Sequence, residues 1–227
     1  MKFEVSYMLG VDEVERRRVV AQQFSSLLSS DWSLRFIEEK SHVDAVRRIV
    51  ENDGYMMIAE DGVDFTPRTE EWVRRCVDAL IGRPWHIAFT EMTFPNFDEV
   101  AKLFPPLEEM LSKNTLQMHG LAGVPISGSR CYLINKWAKH QFFEKISKHD
   151  PAEAPFDQFL ARSCFVREVN AFVIYPFPTS IEQYPKFERK AEPQPTVSVD
   201  QAQALLARPE FSKLGQLAET LAWIEGH

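Results

Sequence analysis

The sequence YMMIAEDGVDF at residues 55–65 decides the fold prediction. Its first five residues are apolar and follow Asn52, Asp53 and Gly54, a pattern that is typical of a short strand buried on both faces of an α/β sheet. Gly62 then allows the backbone to bend where the strand ends. The stretch therefore predicts an interior strand followed by a turn.

Three carboxylates lie in that turn, at Glu60, Asp61 and Asp64. Open α/β sheets bind their ligands in the crevice beyond the carboxyl ends of the strands, so the turn is a candidate site. A second interpretation is an acidic loop that precedes a helix, with Thr66 as the N-cap and Pro67 as the first helical residue. The local sequence alone leaves both interpretations open.

Strand and helix patterns alternate over the first 92 residues. Strands are predicted at residues 2–9, 32–38, 55–59 and 85–90, and amphipathic helices at residues 12–29, 41–50 and 70–81. This order predicts an α/β fold of the Rossmann-like kind, with a mainly parallel central sheet flanked by helices. The first ~90 residues therefore look like a doubly wound half-sheet with helices on its faces.

The rhythm changes in the second half of the chain. A helix that is broken at Pro105 and Pro106 is predicted first. Strands are then predicted at residues 130–135 and 169–175, and helices at residues 136–148 and 156–165. A polar loop at residues 179–195 and two helices up to residues 207 and 224 complete the chain. A length of 227 residues fits a single domain.

Composition excludes several classes of protein. The net charge of −7 argues against general nucleic-acid binding, which depends on Lys and Arg neutralising phosphates. No apolar run reaches the ~18 residues of a membrane-spanning helix, and no stretch resembles a signal peptide, so we expect a cytoplasmic protein without a transmembrane segment. The chain has three cysteines, at positions 76, 131 and 164. They have no CxxC spacing and therefore indicate neither a zinc site nor a disulfide framework.

Three consecutive arginines, Arg16, Arg17 and Arg18, occupy the first turns of the first predicted helix, where they oppose the positive end of the helix dipole. One interpretation is a solvated face paired with the neighbouring acidic residues at positions 12, 13 and 15. The other is a contact with a diphosphate just after the first strand.

Four local patterns, taken in order, resemble glycosyltransferase family 25, the bacterial lipopolysaccharide glycosyltransferases related to the collagen galactosyltransferases. Individually each pattern is weak, and their shared order over residues ~1–180 makes the resemblance specific. The patterns are Glu15-Arg16-Arg17; Ser41-His42; Ile58-Ala59-Glu60-Asp61-Gly62-Val63; and Gly128-Ser129-Arg130-Cys131-Tyr132-Leu133-Ile134 with Ala138, followed by Pro155-Phe156-Asp157-Gln158-Phe159-Leu160.

The resemblance implies a GT-A type enzyme that moves a hexose such as galactose from a nucleotide-diphosphate sugar to a glycan or lipid-linked glycan, with inversion at the sugar carbon. It divides the single domain 1–227 into a nucleotide-binding half at residues 1–92, an acceptor and catalytic half at 93–180, and a loop with C-terminal helices at 181–227. It also implies lipopolysaccharide biosynthesis at the inner face of the bacterial membrane, with peripheral association.

The resemblance further implies roles for individual residues. A divalent cation, Mn²⁺ or Mg²⁺, would bridge the donor's phosphates and be held by Asp61 and Asp64, since such ions prefer carboxylate oxygens. Arg16, Arg17, His42 and Glu60 would contact the donor. Asp157 would be the catalytic base that takes the proton of the acceptor hydroxyl; without the resemblance it is a helix-start aspartate.

One departure from the family pattern keeps other functions open. Gly62 stands where the family has a second aspartate. A degenerate GT-A-like protein that binds nucleotides or glycans without catalysis is therefore an alternative. A receiver-like signalling module, with Asp61 as the phosphate acceptor, is a further alternative for the first half of the chain.

Overall fold

A computed structural model of the chain describes residues 1–10, 12–38, 41–94, 107–181 and 197–198. The helices predicted near the C-terminus, the break at Pro105 and Pro106, and most of the predicted polar loop lie outside the described residues. In the described part of the chain, no helix has both the length and the apolar character needed to cross a membrane.

The described residues form one eight-stranded sheet, one two-stranded sheet and six helices. The strands are β1 (Phe3–Met8), β2 (Trp32–Ile37), β3 (Tyr55–Glu60), β4 (Val63–Phe65), β5 (Ile87–Phe94), β6 (Gln117–Gly120), β7 (Gly128–Ile134), β8 (Ala171–Tyr175), β9 (Thr179–Ile181) and β10 (Val197–Ser198). The helices are α1 (Val14–Leu27), α2 (His42–Ile49), α3 (Thr69–Leu80), α4 (Leu107–Ser112), α5 (Lys139–Ile146) and α6 (Phe156–Phe165).

The large sheet has the strand order β2-β1-β3-β7-β5-β8-β6, and β10 pairs with β5 off this path. β1 pairs in parallel with both β2 and β3, and β5 pairs in parallel with β8. β7 is antiparallel to its neighbours β3 and β5, and β6 is antiparallel to β8. The α/β prediction is confirmed, and the sheet is a mixed one in which most strands share one direction.

The prediction that residues 55–59 form an interior strand is confirmed. β3 lies between β1 and β7, and all five residues are buried. Met56 and Ile58 belong to the apolar layer that contains buried residues of α2, α5 and α6, whereas Met57 and Ala59 belong to the opposite layer with α1 and α3. Burial on both faces explains why the run is continuously apolar rather than alternating.

Glycines fix both ends of β3. Gly54 has a φ of +100°, and a Cβ there would lie 2.9 Å from the carbonyl oxygen of Lys2. The close approach of the backbone at position 54 to Lys2 therefore requires glycine. Tyr55 N–H donates a hydrogen bond to that same oxygen at 3.1 Å. At the other end Gly62 has a φ of +89°, a conformation that favours glycine, and it forms the turn that connects β3 to β4.

A later strand interrupts the half-sheet predicted for the first ~90 residues. β7, from later in the chain, lies between β3 and β5, so the strands of the first half are not contiguous in the sheet. The receiver-like alternative loses its basis, because it required the first half to be a unit of its own. The sequence of β7 is that of an ordinary buried strand, and only its long-range pairing reveals its position and direction.

Helix α3 begins at Thr69, two residues after the start implied by Pro67. The cause is a pair of threonines tied to the segment before β9. Thr66 and Thr69 both donate through their hydroxyls to the carbonyl oxygen of Pro178, at 2.7 and 2.5 Å. Thr69 Oγ1 also accepts a bond from Thr66 N–H at 2.8 Å, so the chain forms a turn before the helix starts.

Candidate functional site

The chain reverses its direction of travel across the sheet around β1. It passes from β1 to β2 on one side and then crosses back to β3 on the other. Such a reversal opens a crevice at the carboxyl ends of the two diverging strands, where α/β sheets place their ligands. Met8 and Glu60 are in register at these ends, so the acidic turn follows the carboxyl end of β3 beside the end of β1.

A hydrogen-bonded chain of three side chains lies at this end of the sheet. His42 Nε2 lies 2.6 Å from Glu60 Oε1, and His42 Nδ1 lies 2.9 Å from the hydroxyl of Tyr132. His42 is the first residue of α2, Glu60 ends β3, and Tyr132 lies on β7. The network therefore joins two adjacent antiparallel strands to a helix that covers them.

Burial keeps the hydroxyl of Tyr132 in this network protonated. Burial raises the pKa of Tyr132 well above its usual value, and the charges of Glu60 and Asp157 raise it further, so the hydroxyl keeps its proton. A neutral His42 satisfies both contacts if Tyr132 donates to Nδ1 and Nε2–H donates to Glu60. The side chain of Glu60 is 31% exposed, which leaves the carboxylate accessible from the crevice.

Helix α6 also contributes residues to the site. The ring of Phe156 stacks on His42 with a centroid distance of 4.5 Å and an interplanar angle of 3°. Asp157, the next residue, is partly buried and close enough to Tyr132 for its charge to raise the pKa of the hydroxyl. The structure therefore brings Asp157 to the same end of the sheet as Glu60 and His42.

Arg16 in the first turn of α1 binds the acidic turn. Its Nε lies 3.2 Å from Asp61 Oδ1, and both terminal nitrogens lie 3.4 Å from Asp64 Oδ1. Nη2 also donates to the hydroxyl of Tyr7 at 3.0 Å and to the carbonyl oxygen of Val63 at 3.4 Å. These partners offset the unfavourable position of a cation near the start of a helix.

Arg17 is held in a different way, on the β1 side of the crevice. Its guanidinium donates to the carbonyl oxygens of Gly10 and Leu9 at 3.1 and 3.0 Å, and lies over the ring of Phe36 at 5.3 Å. Arg18 does pair with an exposed acidic neighbour, Glu15, at 2.6 Å. Arg18 therefore lies on a solvated face of α1, as one of the two sequence interpretations proposed. Arg16 and Arg17 instead bind α1 to the ends of the strands.

Both carboxylates predicted as metal ligands, Asp61 and Asp64, form ion pairs within the protein. Asp61 and Asp64 both direct an oxygen at the same guanidinium, that of Arg16. No group of three or more His, Cys, Asp or Glu side chains among the described residues could hold a metal ion. Glu60, the third acidic residue of the stretch, is directed to His42 instead.

Sequence reasoning missed two members of the site, Tyr132 and Tyr7. Tyr132 stands inside the RCYLIN strand as an ordinary aromatic residue, and its contact with His42 depends on the antiparallel register that places it opposite Ile58. Tyr7 donates to the carbonyl oxygen of Val63 at 2.7 Å while accepting from Arg16. Both roles arise from pairing over at least 56 residues of sequence, which no local pattern encodes.

The arrangement is suited to binding hydroxyl groups. A carboxylate held through one oxygen by a histidine has a fixed orientation, and its remaining lone pairs accept hydrogen bonds from a ligand. Two carboxylates, Glu60 and Asp157, reach one end of the sheet around a buried aromatic and imidazole cluster.

Comparison with known proteins adds no identification. No protein-family model matches the sequence, and no curated protein matches it at a significant level.

Proposed function

We propose that the protein is a GT-A type glycosyltransferase that moves a hexose from a nucleotide-diphosphate sugar to a glycan acceptor, with inversion. The observation that carries the proposal is the meeting of Glu60, His42 and the start of α6 with Asp157 at the switch-point crevice. These residues come from three of the four sequence patterns that resemble glycosyltransferase family 25. Their convergence is the support; the patterns alone are short.

Glu60 and His42 would hold the donor. The Glu60 carboxylate, fixed by Nε2 of His42 at 2.6 Å, accepts hydrogen bonds from ribose or hexose hydroxyls in the crevice. The stacked ring of Phe156 and the hydroxyl of Tyr132 keep the imidazole in place. Rigid positioning of this kind lowers the entropic cost of aligning a donor for attack.

Asp157 would act as the general base. The acceptor hydroxyl oxygen attacks the anomeric carbon, the bond from that carbon to the diphosphate oxygen breaks, and the nucleoside diphosphate leaves with the bonding electron pair. The hydroxyl proton passes to the Asp157 carboxylate. Attack from the side opposite the leaving group inverts the sugar carbon, and the base must lie on the acceptor side to take the proton.

The test is a screen of nucleotide-diphosphate sugars for binding, followed by a transfer assay with glycan acceptors on wild type and Asp157→Asn. We expect the variant to retain donor affinity and to lose about 10²- to 10⁴-fold in kcat, the usual contribution of a general base. Glu153→Gln, at an exposed acidic residue four positions earlier, is the matched control and should retain full turnover. Near-normal turnover of Asp157→Asn would remove the base assignment.

A second candidate is a GT-A-like protein that binds nucleotides or glycans without catalysis. It is favoured by Gly62 in the acidic turn and by the engagement of Asp61 and Asp64 with Arg16. This function predicts stabilisation by a nucleotide sugar, roughly 2.7 kcal/mol at 100 times its dissociation constant, without transfer to any acceptor. Donor consumption in the presence of an acceptor would exclude it.

A further inference from the structure

The guanidinium of Arg16 fills the acidic turn in the way a bound cation would. Its side chain is only 11% exposed, although it starts on the surface helix α1. It contacts both aspartates of the turn, Asp61 at 3.2 Å and Asp64 at 3.4 Å. Asp64 is itself only 15% exposed, so one of these carboxylates is largely withdrawn from solvent and depends on the arginine for its counter-charge.

The position of Arg16 is fixed from three sides. Tyr7 on β1 accepts a bond from Nη2 at 3.0 Å and donates to the carbonyl oxygen of Val63 at 2.7 Å. Val63 lies between the two aspartates in sequence and its carbonyl oxygen also faces Nη2 at 3.4 Å. A planar guanidinium with several donors suits this set of oxygen acceptors, which a single ion at one point could not serve equally.

A divalent ion at the turn would have to displace this guanidinium. Hard cations bind oxygen ligands at roughly 2.0–2.6 Å, and both aspartates already direct an oxygen at Arg16. The displaced arginine would stay beside the ion as a like charge, since Tyr7 and α1 hold it there. Competition between the fixed arginine and a free ion therefore favours the arginine.

We propose that Arg16 is the resident cation of the acidic turn and that it excludes Mn²⁺ and Mg²⁺ from Asp61 and Asp64. The turn is then a preorganised element without a divalent ion, and the stability of the protein is the same in metal and in chelator. The inference concerns the turn itself and stands apart from the proposed transferase activity, because it is tested with the metal ion alone.

The experiment measures Mn²⁺ binding to the full chain by titration calorimetry and by the loss of the free-ion EPR signal. Wild type should bind no Mn²⁺ at the turn and show the same melting temperature in Mn²⁺ and in EDTA. Arg16→Gln removes the charge, and its affinity for Mn²⁺ should rise by about tenfold or more, the equivalent of 1.4 kcal/mol. Adding Asp61→Asn to that variant should abolish the gain.

Two further variants keep the test decisive. Arg18→Gln removes a neighbouring arginine that pairs with the exposed Glu15, and it should leave the metal response unchanged. Arg16→Lys retains a positive charge, so it should exclude Mn²⁺ as wild type does and shows whether the charge at position 16 sets the metal response.

Two results would overturn the proposal. The first is a wild-type chain that binds Mn²⁺ at one site and loses that site in Asp61→Asn. The second is a folded Arg16→Gln variant without any gain in metal affinity, because Arg16 would then not be what excludes the ion. Neither result bears on sugar transfer, which the Asp157 variant tests separately.

Discussion

The bond between Tyr132 and His42 offers the sharpest test of the site, through the substitution Tyr132→Phe. The hydroxyl lies 2.9 Å from His42 Nδ1, and both residues are buried, with exposures of 0% and 7%. Phenylalanine retains the ring, which packs edge-on against Phe89 and Phe142 with centroid distances of 6.0 Å. The substitution therefore removes one hydrogen bond and leaves a buried imidazole nitrogen without its partner.

The expected cost follows from that asymmetry. Leaving a buried acceptor unsatisfied costs about 1–3 kcal/mol of the free energy of unfolding. For a chain of this size each kcal/mol lowers Tm by about 2–4 °C, so Tm should fall by about 2–12 °C. Urea denaturation gives the free energy, and an unchanged m-value would show that the native state stays compact.

The control is Tyr55→Phe on β3. Tyr55 is also buried, and Tyr55→Phe keeps the ring without touching the His42 network, so it should lower the free energy of unfolding by less than Tyr132→Phe does. Equal effects of the two substitutions would refute the hydrogen-bond argument, because they would show that Tyr132 acts through packing alone.

The same variant tests whether the network acts as a unit. Tyr132 and Glu60 bind opposite nitrogens of His42, so Tyr132→Phe and Glu60→Gln should be coupled through the imidazole. A double-mutant cycle should give an interaction energy of about 0.5–3 kcal/mol. Additivity within about 0.3 kcal/mol would mean that His42 does not transmit the orientation of one group to the other.

Three further predictions concern the scaffold. Burial and the Lys145 charge lower the pKa of His86, whose Nδ1 accepts a hydrogen bond from a backbone N–H at 2.8 Å. Neutral His86 therefore stabilises the fold fully above the unfolded pKa of about 6.5, and this stabilisation is lost as pH falls through the lower folded pKa. His86→Gln should therefore flatten the urea stability profile below about pH 6.5, and an unchanged slope would refute the assignment. Gly54→Ala should destabilise by about 1–3 kcal/mol more than Gly82→Ala in the same assay, because a Cβ meets the Lys2 oxygen at 2.9 Å only at the former; equal costs would exclude the clash. Burial raises the thiol pKa values to about 12, so a thiol reagent should label the native protein far more slowly than the unfolded chain, and fast native labelling would contradict the burial of Cys76, Cys131 and Cys164.

Local sequence predicted six of the ten described strands and the location of the acidic turn, but it did not predict β4, β6, β9 or β10, and β9 lies in the predicted polar loop. The apolar run of β3 has one physical explanation, burial on both faces, and the structure confirms it through the two apolar layers that share β3. Glycine at position 62 and the carboxylates around it could likewise be placed at a strand end, because turn chemistry depends on neighbouring residues. Helix starts were less certain, since Thr69 displaced the predicted start at Pro67 through bonds to Pro178.

Only the tertiary structure decided which groups the acidic turn meets. Asp61 and Asp64 are ordinary metal-ligand types by sequence, and they face Arg16 because α1 packs against β4 and the end of β1. His42 meets Glu60 and Tyr132 because β7 enters the sheet antiparallel between β3 and β5. Register and strand direction arise from pairing between residues far apart in the chain, so a pattern of neighbouring residues fixes the chemistry available at a strand end without fixing its partners.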